Sequence, residues 1–511
     1  MLSRMGSHTA RVREVAAGQR LPRRTIGLYS VGSVGTGGFG TLPGLVLVYY
    51  LTDSLGVSAL LAGVVVIVAK VWDVLIDPVI GDLSDASAHR TGSRALFMRI
   101  GAVTLPVFFV LTFAVPHSLE SHVGALWVLV AFIASATAFS LFQVPYIALP
   151  AELTQDYDER TRLLTWRVVV LSLAILAFGG GGPALRDIAG TNEQLGYLIM
   201  ALVAGLAMAV GFYISSLCAP QSTPSALEST PNAPQNSPAP KPSAVTASVW
   251  SGARHSYKAG VKLLAHNKAF RSLFFTFVAQ ALATGMMLAA AQYVATWVMA
   301  DKAAITFLFV ALIAPALLCA PLWGKIAVRT GKERAFAAAS VLFMVGCVCL
   351  YLLFISGAVA AQHWPIYLCV ALCGAAYAGM QSLPMAMLPD VISHSNGQTS
   401  QPVADPGGTD ASPRTSISAE QHGAGVFGGV WTAGETTGMA LGTTVLTVVL
   451  AVTGYVESVG SQVPVQPEQA KDGIVVAFCL IPAVCIALSL VFLKTYPLRP
   501  THFRKNLHTG K

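Results

Sequence analysis

Residues 58–95 read SALLAGVVVIVAKVWDVLIDPVIGDLSDASAHRTGSRA. From Ser58 to Gly81 the stretch is apolar for long enough to cross a hydrocarbon core about 30 Å thick. It nevertheless carries Asp73 and Asp77, with Lys70 on the same helix face. An ionisable group at that depth costs at least roughly 2.5–3.5 kcal/mol on insertion scales. Carboxylates at i and i+4 also share a face and repel each other. Such a pair predicts something cationic beside it, and hence a membrane protein that handles cations.

Outward from this stretch the same pattern recurs. The chain of 511 residues is 54% hydrophobic and only 11% charged, against about 25% charged in soluble domains. Membrane-length apolar segments fall at about 26–52, 58–81, 96–116, 123–151, 163–185 and 195–218, then 269–299, 303–327, 335–357, 363–390, 423–453 and 473–494. This predicts an all-α polytopic membrane protein with twelve transmembrane helices. Residues 1–25 are polar and Arg-rich, without the short apolar core and cleavage site of a secretory signal.

The net charge of +8 reports topology rather than nucleic-acid binding. Of 32 Lys and Arg, only Arg186, Lys302 and Lys471 fall in loops after odd-numbered helices, and Lys70 and Arg167 lie inside apolar segments. The others sit in the tails, in loops after even-numbered helices or at the membrane ends of those segments. Basic residues collect on the cytoplasmic side, so both tails (1–25 and 497–511) are expected there. The eight cysteines lie in or beside predicted helices with neither paired loop spacing nor a zinc pattern, and read as small buried apolar residues.

Residues 219–248, APQSTPSALESTPNAPQNSPAPKPSAVTAS, cannot build a core and read as a disordered linker. Residues 249–268 read as a basic, amphipathic surface stretch. The segment 219–268 thus separates a six-helix bundle at 26–218 from another at 269–496, and the latter carries a polar cytoplasmic insertion at 392–421. The halves repeat each other. GDLSDASAHRTGSRA at 81–95 is matched by GKIAVRTGKERA at 324–335, and QVPYIALPAEL at 143–153 by QSLPMAMLPDV at 381–391. Parallel six-helix repeats are the construction of major facilitator transporters, with the substrate site near the midplane.

Three strings carry a closer resemblance: VWDVLIDPVIGDLSD (71–85), VPYIALPAELTQDYDERTRLLTWR (144–167) and TYPLRP (495–500). They resemble the glycoside–pentoside–hexuronide:cation symporters, the branch of the major facilitator superfamily that includes the melibiose permease. The resemblance implies that Asp73 and Asp77 are cation ligands, that Arg167 lies in the solute site, and that Lys70 stands where the family has a basic residue. Several positions depart from the family. Ile76 replaces its asparagine and Gln143 the helix-4 aspartate shared by cation and sugar. Ile147 replaces a tryptophan, Thr36 and Gly37 a Lys-Asp pair that grips sugar hydroxyls, and Thr436 the helix-11 lysine, with Glu435 beside it. A galactoside held in the permease's manner is therefore not expected. A related branch that moves lysophospholipids shares the helix-2 aspartates, which keeps an amphiphilic cargo open.

One Lys cannot neutralise two acids, although an internal ion pair with Lys70 is the structural alternative to cation coupling. Asp73, Asp77 and the Gln143 amide oxygen would suit Na⁺, a hard ion that takes oxygen ligands, which would make the aspartates metal ligands. Alternatively the two carboxylates share a proton. Arg167 could instead snorkel to the surface. Glu435, among the small residues of GVWTAGETTGMALG, reads as a functional acid or a structural ion pair. Asp85, Arg94, Glu152 and Arg160, with Arg329, Arg334 and Asp390 in the second half, read as a cytoplasmic gate of inter-helix charge pairs. The glycines of helix 1 and of 179–182 lack the strand and the Lys-Ser/Thr of a phosphate loop, and read as sites of close helix approach.

The expectation is a cation-coupled (Na⁺ or H⁺) symporter of a small organic solute, by resemblance a sugar or glycoside. It would work by alternating access as a monomer in a bacterial inner membrane, with no cofactor and no nucleic acid. No enzyme-like nucleophile, base or metal cluster stands out. The rivals are a lysolipid transporter and a non-transporting sensor or assembly partner that docks through 219–268 and 392–421.

Overall fold

The computed structural model describes residues 20–497, apart from 92, 117, 155, 191, 220–261, 263, 266, 358–362, 400–413 and 459–464. Twelve described helices are long and apolar enough to cross a membrane. They are α1 (Arg23–Tyr49), α2 (Ala59–Thr91), α3 (Ala95–Phe113), α4 (Ser121–Leu153), α5 (Tyr157–Asp187) and α6 (Glu193–Ser216). The second set comprises α7 (Lys268–Tyr293), α8 (Ala304–Thr330), α9 (Lys332–Ile355), α10 (Trp364–Thr399), α11 (Arg414–Val452) and α12 (Glu468–Lys494). No strand occurs among the described residues. Large apolar side chains such as Val103, Leu126, Leu318 and Val328 lie exposed on these helices. That is the surface a bilayer requires and water disfavours.

The helices start and stop for local reasons. Asn192 and Asn267 cap α6 and α7 by accepting from the backbone N–H of Leu195 and Phe270, at 3.0 and 2.9 Å. Gly331, at φ 97°, turns α8 into α9 inside the Arg-Thr-Gly repeat. Prolines stand inside α1, α2, α3, α4, α5, α8 and α10, as membrane helices tolerate when neighbours satisfy the freed backbone. The polar insertion expected at 392–421 is shorter than its composition suggests, because α10 runs on to Thr399 and α11 begins at Arg414. A helix satisfies its own backbone groups in water as in lipid, so it need not stop at the membrane face. Nearly all of the expected linker lies outside the described residues.

The described helices group into two compact units: one cut falls within the 219–268 linker, and Gly44–Val74 groups with the later helices. One unit holds α1 up to Pro43, α2 from Leu75, and α3 to α6; the other holds Gly44–Val74 with α7 to α12. In the first unit α3 packs on α4 and α6. Its core includes Phe142 stacked on Phe212 with centroids 3.6 Å apart, and Phe113 on Tyr197 at 5.8 Å. In the second, α7 packs on α11 and α12, and α8 and α9 both pack on α10. Gly434, Gly438 and Gly442 line α11 at four-residue spacing. A Cβ on Gly442 would stand 2.1 Å from the Leu282 carbonyl oxygen of α7, so α11 and α7 touch backbone to backbone.

A third match between the halves appears only in the structure. α1 ends in a π turn, Tyr50–Ser54, and α7 in another, Val294–Val298. Leu55 N–H donates to Tyr50 O (3.2 Å) as Met299 N–H does to Val294 O (2.9 Å). Val57 N–H donates to Leu51 O (2.9 Å) as Asp301 N–H does to Ala295 O (3.0 Å). Between these bonds Gly56 and Ala300 both take positive φ, 62° and 53°.

Candidate solute and cation site

Within the first unit, Thr36 on α1 donates its hydroxyl to the Gln143 amide oxygen of α4 at 2.7 Å. Gln143 replaces the family's aspartate, so this link is neutral. The Arg167 guanidinium of α5 lies over the Tyr146 ring, 5.3 Å from its centroid, within cation–π reach. Tyr146 is itself fixed: it stacks on Tyr29 at 4.6 Å, donates to the Tyr29 carbonyl at 3.0 Å and lies 3.0 Å from the Ser33 hydroxyl. Arg167 Nε has no hydrogen-bond partner among the described residues. Gly37 sets the spacing of α1 and α5, since a Cβ there would meet Ala174 Cβ at 2.8 Å. Ile147 is exposed. Asp77, Gln143 and Thr36 are half-buried.

Within the second unit, Lys70 Nζ binds Asp73 Oδ2 at 3.0 Å. The other oxygen, Asp73 Oδ1, is buried and accepts no hydrogen bond among the described residues. The ion pair foreseen as an alternative thus forms, and it takes one of the two aspartates. In formal charge Lys70 and Asp73 cancel, and Asp77 leaves one negative charge on the apolar part of α2. On α11, half-buried Glu435 and Thr436 flank the glycine stripe. Facing it on α10, Gln381 donates its amide to the Tyr377 hydroxyl at 2.9 Å, and Glu435 lies within electrostatic reach of that tyrosine.

The charged turns form one cluster in each unit. Arg94 bridges Asp85 at the end of α2 and Glu152 at the end of α4, and also donates to Ser84 Oγ at 3.3 Å. Arg160 does not pair with Glu152; it donates to the Thr154 carbonyl at 3.1 Å. Glu159, absent from the sequence reading, binds Arg162 at 3.2 Å and accepts from Leu21 N–H at 3.0 Å, tying the start of α1 to the α4–α5 turn. In the second unit Asp390 is bound by Lys332 at 2.6 Å. Arg329 and Arg334 stand exposed, with no ion pair recorded among the described residues. The second repeat has one more residue between its glycine and its arginine, and Lys332 takes up the contact.

A family model for MFS/sugar transport proteins matches residues 28–402 and 419–500. The chain belongs to that family. It is a multi-pass integral membrane protein, and its family and relatives are transporters rather than enzymes. The putative glycoside/cation symporter YagG of Escherichia coli (strain K12) is 31% identical over 187 residues, 36% of this chain and 40% of that protein. The isoprimeverose transporter of Lactiplantibacillus pentosus is 26% identical over 178 residues, 33% of this chain and 36% of that protein. The chain spans less than half the length of the curated relatives it matches. A crystal structure of a D-xylose-proton symporter superposes with a TM-score of 0.58 at 12% identity, covering 93% of this chain and 98% of that one. At that identity it shares the fold alone.

Proposed function

We propose that this protein is a secondary active transporter that couples a cation, Na⁺ or H⁺, to the symport of a small organic solute, a sugar or glycoside. The observation that carries this is the charge balance of α2: two aspartates within an apolar span and one lysine bound to the first. Acids at membrane depth are costly and mark cation or proton pathways, and α2 itself supplies one lysine for its two aspartates. Names among the relatives, a glycoside/cation symporter and an isoprimeverose transporter, support the cargo class.

Alternating access between the repeated halves supplies the coupling, because a cation and a solute that stabilise the same closed state raise each other's affinity. Arg167, held over Tyr146, and Thr36 are the solute-binding groups of the first unit, and Gln143, bonded to Thr36, is the oxygen ligand that joins them to the cation site. Arg94 and Lys332 clasp the basic end, which positive-inside topology places in the cytoplasm of a bacterial cell, with the protein in the inner membrane. The protein acts as a monomer.

The test is uptake into proteoliposomes of a panel of labelled sugars and glycosides, driven by a Na⁺ or H⁺ gradient. Asp77→Asn should abolish gradient-driven accumulation while solute counterflow persists. Full accumulation by the Asp73→Asn, Asp77→Asn double variant would falsify the cation assignment.

A further inference from the structure

Besides the α2 pair and Glu435, the apolar helices carry Asp53, which is only 2% exposed. It sits in the π turn that ends α1, at the position that Trp297 holds in the matching turn of α7. The backbone device is therefore repeated, whereas the acid occurs in the first copy alone.

Hydroxyl groups surround the carboxylate. Tyr455 Oη, from the loop after α11, donates across both oxygens at 2.7 and 2.9 Å. Thr52 Oγ1 donates to Oδ2 at 2.6 Å. Since the Thr52 proton is spent on Asp53, the Tyr293 hydroxyl of α7, 2.7 Å from Thr52 Oγ1, must donate to it. The chain of donors runs from Tyr293 through Thr52 to Asp53 and meets Tyr455 coming from the other side. The main chain adds to the clasp: Ser458 Oγ donates to the Asp53 carbonyl at 2.6 Å and Ser458 N–H to that of Thr52 at 3.1 Å. Glu457 accepts from Ala59 N–H at 3.1 Å, at the first turn of α2. These bonds join the end of α1 and the start of α2 to α7 and to the α11–α12 loop, all within the second unit.

The Tyr455 and Thr52 hydroxyls both point toward the Asp53 side chain, which suits a carboxylate, an acceptor only. A protonated acid must donate, yet both of its oxygens face hydroxyls already acting as donors, so one of them must turn away: Thr52 toward the Tyr49 carbonyl, 3.4 Å off, or Tyr455 out of the cluster. We propose that Asp53 is a proton-binding site separate from the α2 aspartates, and that its protonation releases the clasp between the α1–α2 turn and the α7 and α11 ends. The other titratable groups around it do not share this behaviour. Burial and the Asp53 charge push the Tyr455 phenol up, so it remains a donor. Tyr293 and Tyr49 are phenols packed edge-on in the same cluster. Glu457 is bound to the α2 N-terminus, and on α12 Glu468 is paired with Lys471 at 2.9 Å.

The test needs neither solute nor flux, so it can fail while the transport reading stands, and the reverse. Val57, 1% exposed in the α1–α2 turn, is replaced by Cys in a full-length protein whose eight native cysteines are changed to Ser, and maleimide labelling is followed from about pH 8 to about pH 5. The rate, divided at each pH by that of the same protein in denaturant to remove the loss of thiolate, should rise several-fold as pH falls. Asp53→Asn, which mimics the protonated acid, should label fast at every pH. Tyr455→Phe, which removes one donor and keeps the acid, should label faster than the parent at about pH 8 and guards against a misfolded Asp53 variant. An Asp53→Asn protein that keeps the parent's pH response, or a folded Tyr455→Phe protein that labels at the parent's rate, overturns the proposal.

Discussion

Ala300 closes α7 with the left-handed backbone turn that Gly56 uses to close α1, at φ 53° and 62°. A side chain in that region costs about 1 kcal/mol or more that glycine avoids. Ala300→Gly should therefore stabilise the protein by about 0.5–1 kcal/mol, less a little for the greater freedom of the unfolded chain. Gly56→Ala should destabilise it by a similar amount. Thermal unfolding in detergent separates the two, and an Ala300→Gly variant that melts earlier contradicts the strain reading.

Lys70 and Asp73 form a pair in which neither side chain is more than a third exposed. Asp73→Asn leaves the ammonium without its carboxylate and should cost about 1–3 kcal/mol. The double variant Lys70→Gln, Asp73→Asn removes both charges and should recover most of that loss. If transport returns along with stability, Asp73 is a structural partner of Lys70 and Asp77 alone carries the coupling ion. Melting curves and gradient-driven uptake on the same preparations decide this.

Thr36→Val removes the hydroxyl that Gln143 accepts from and leaves an amide oxygen without its donor. At about 1 kcal/mol per hydrogen bond, the solute KM should rise roughly fivefold with kcat little changed. A change confined to kcat would place the pair in the conformational step instead.

Arg94→Gln should part the ends of α2 and α4, whereas Arg160→Gln should not, since among the described residues Arg160 donates to the Thr154 carbonyl rather than to a carboxylate. Asp85 is 56% exposed at its side chain, so the stability loss stays below about 1 kcal/mol, and the effect is expected in turnover. Lys332→Gln should behave like Arg94→Gln, while Arg329→Gln and Arg334→Gln should resemble the parent. Counterflow rates across the five variants check the assignment.

Cys218 lies beyond the end of α6, where burial pushes its thiol up to about 11. The thiolate is the reactive form, so alkylation of Cys218 should be negligible at neutral pH and rise only as pH approaches that value. Mass spectrometry of alkylated peptides measures this directly.

The helices were legible because a membrane span has few ways to be written: long apolar runs, with arginines crowding alternate loops. The Arg-Thr-Gly and paired-proline repeats gave the two halves for the same reason, since turn chemistry leaves a mark on sequence. Contacts that depend on register were harder to read. Asp85, Arg94 and Glu152 stood among the expected gate residues, but Glu152 was grouped with Arg160 whereas it binds Arg94, and the extra residue in RTGKERA gives the second-half contact to Lys332. Nothing in the apolar pattern says that α1 beyond Pro43 groups with α7. Asp53 lies at the edge of its span, where an acid resembles an interface residue. Its signal was present as a Thr-Asp pair just before Gly56, but only the partners Tyr293 and Tyr455, 240 and more positions away, give it meaning.

The spacing of Lys70 and Asp73 also bears on how this helix is made. Because the two are one turn apart on α2, they meet as soon as that turn forms, before any other helix exists to receive them. The translocon then handles a segment carrying one uncompensated charge where its composition shows three. At roughly 2.5–3.5 kcal/mol for each charge at a helix centre, that difference separates a segment that partitions into lipid by itself from one that must wait for its neighbours. A lysine one turn before Asp73 thus lowers the cost of inserting α2.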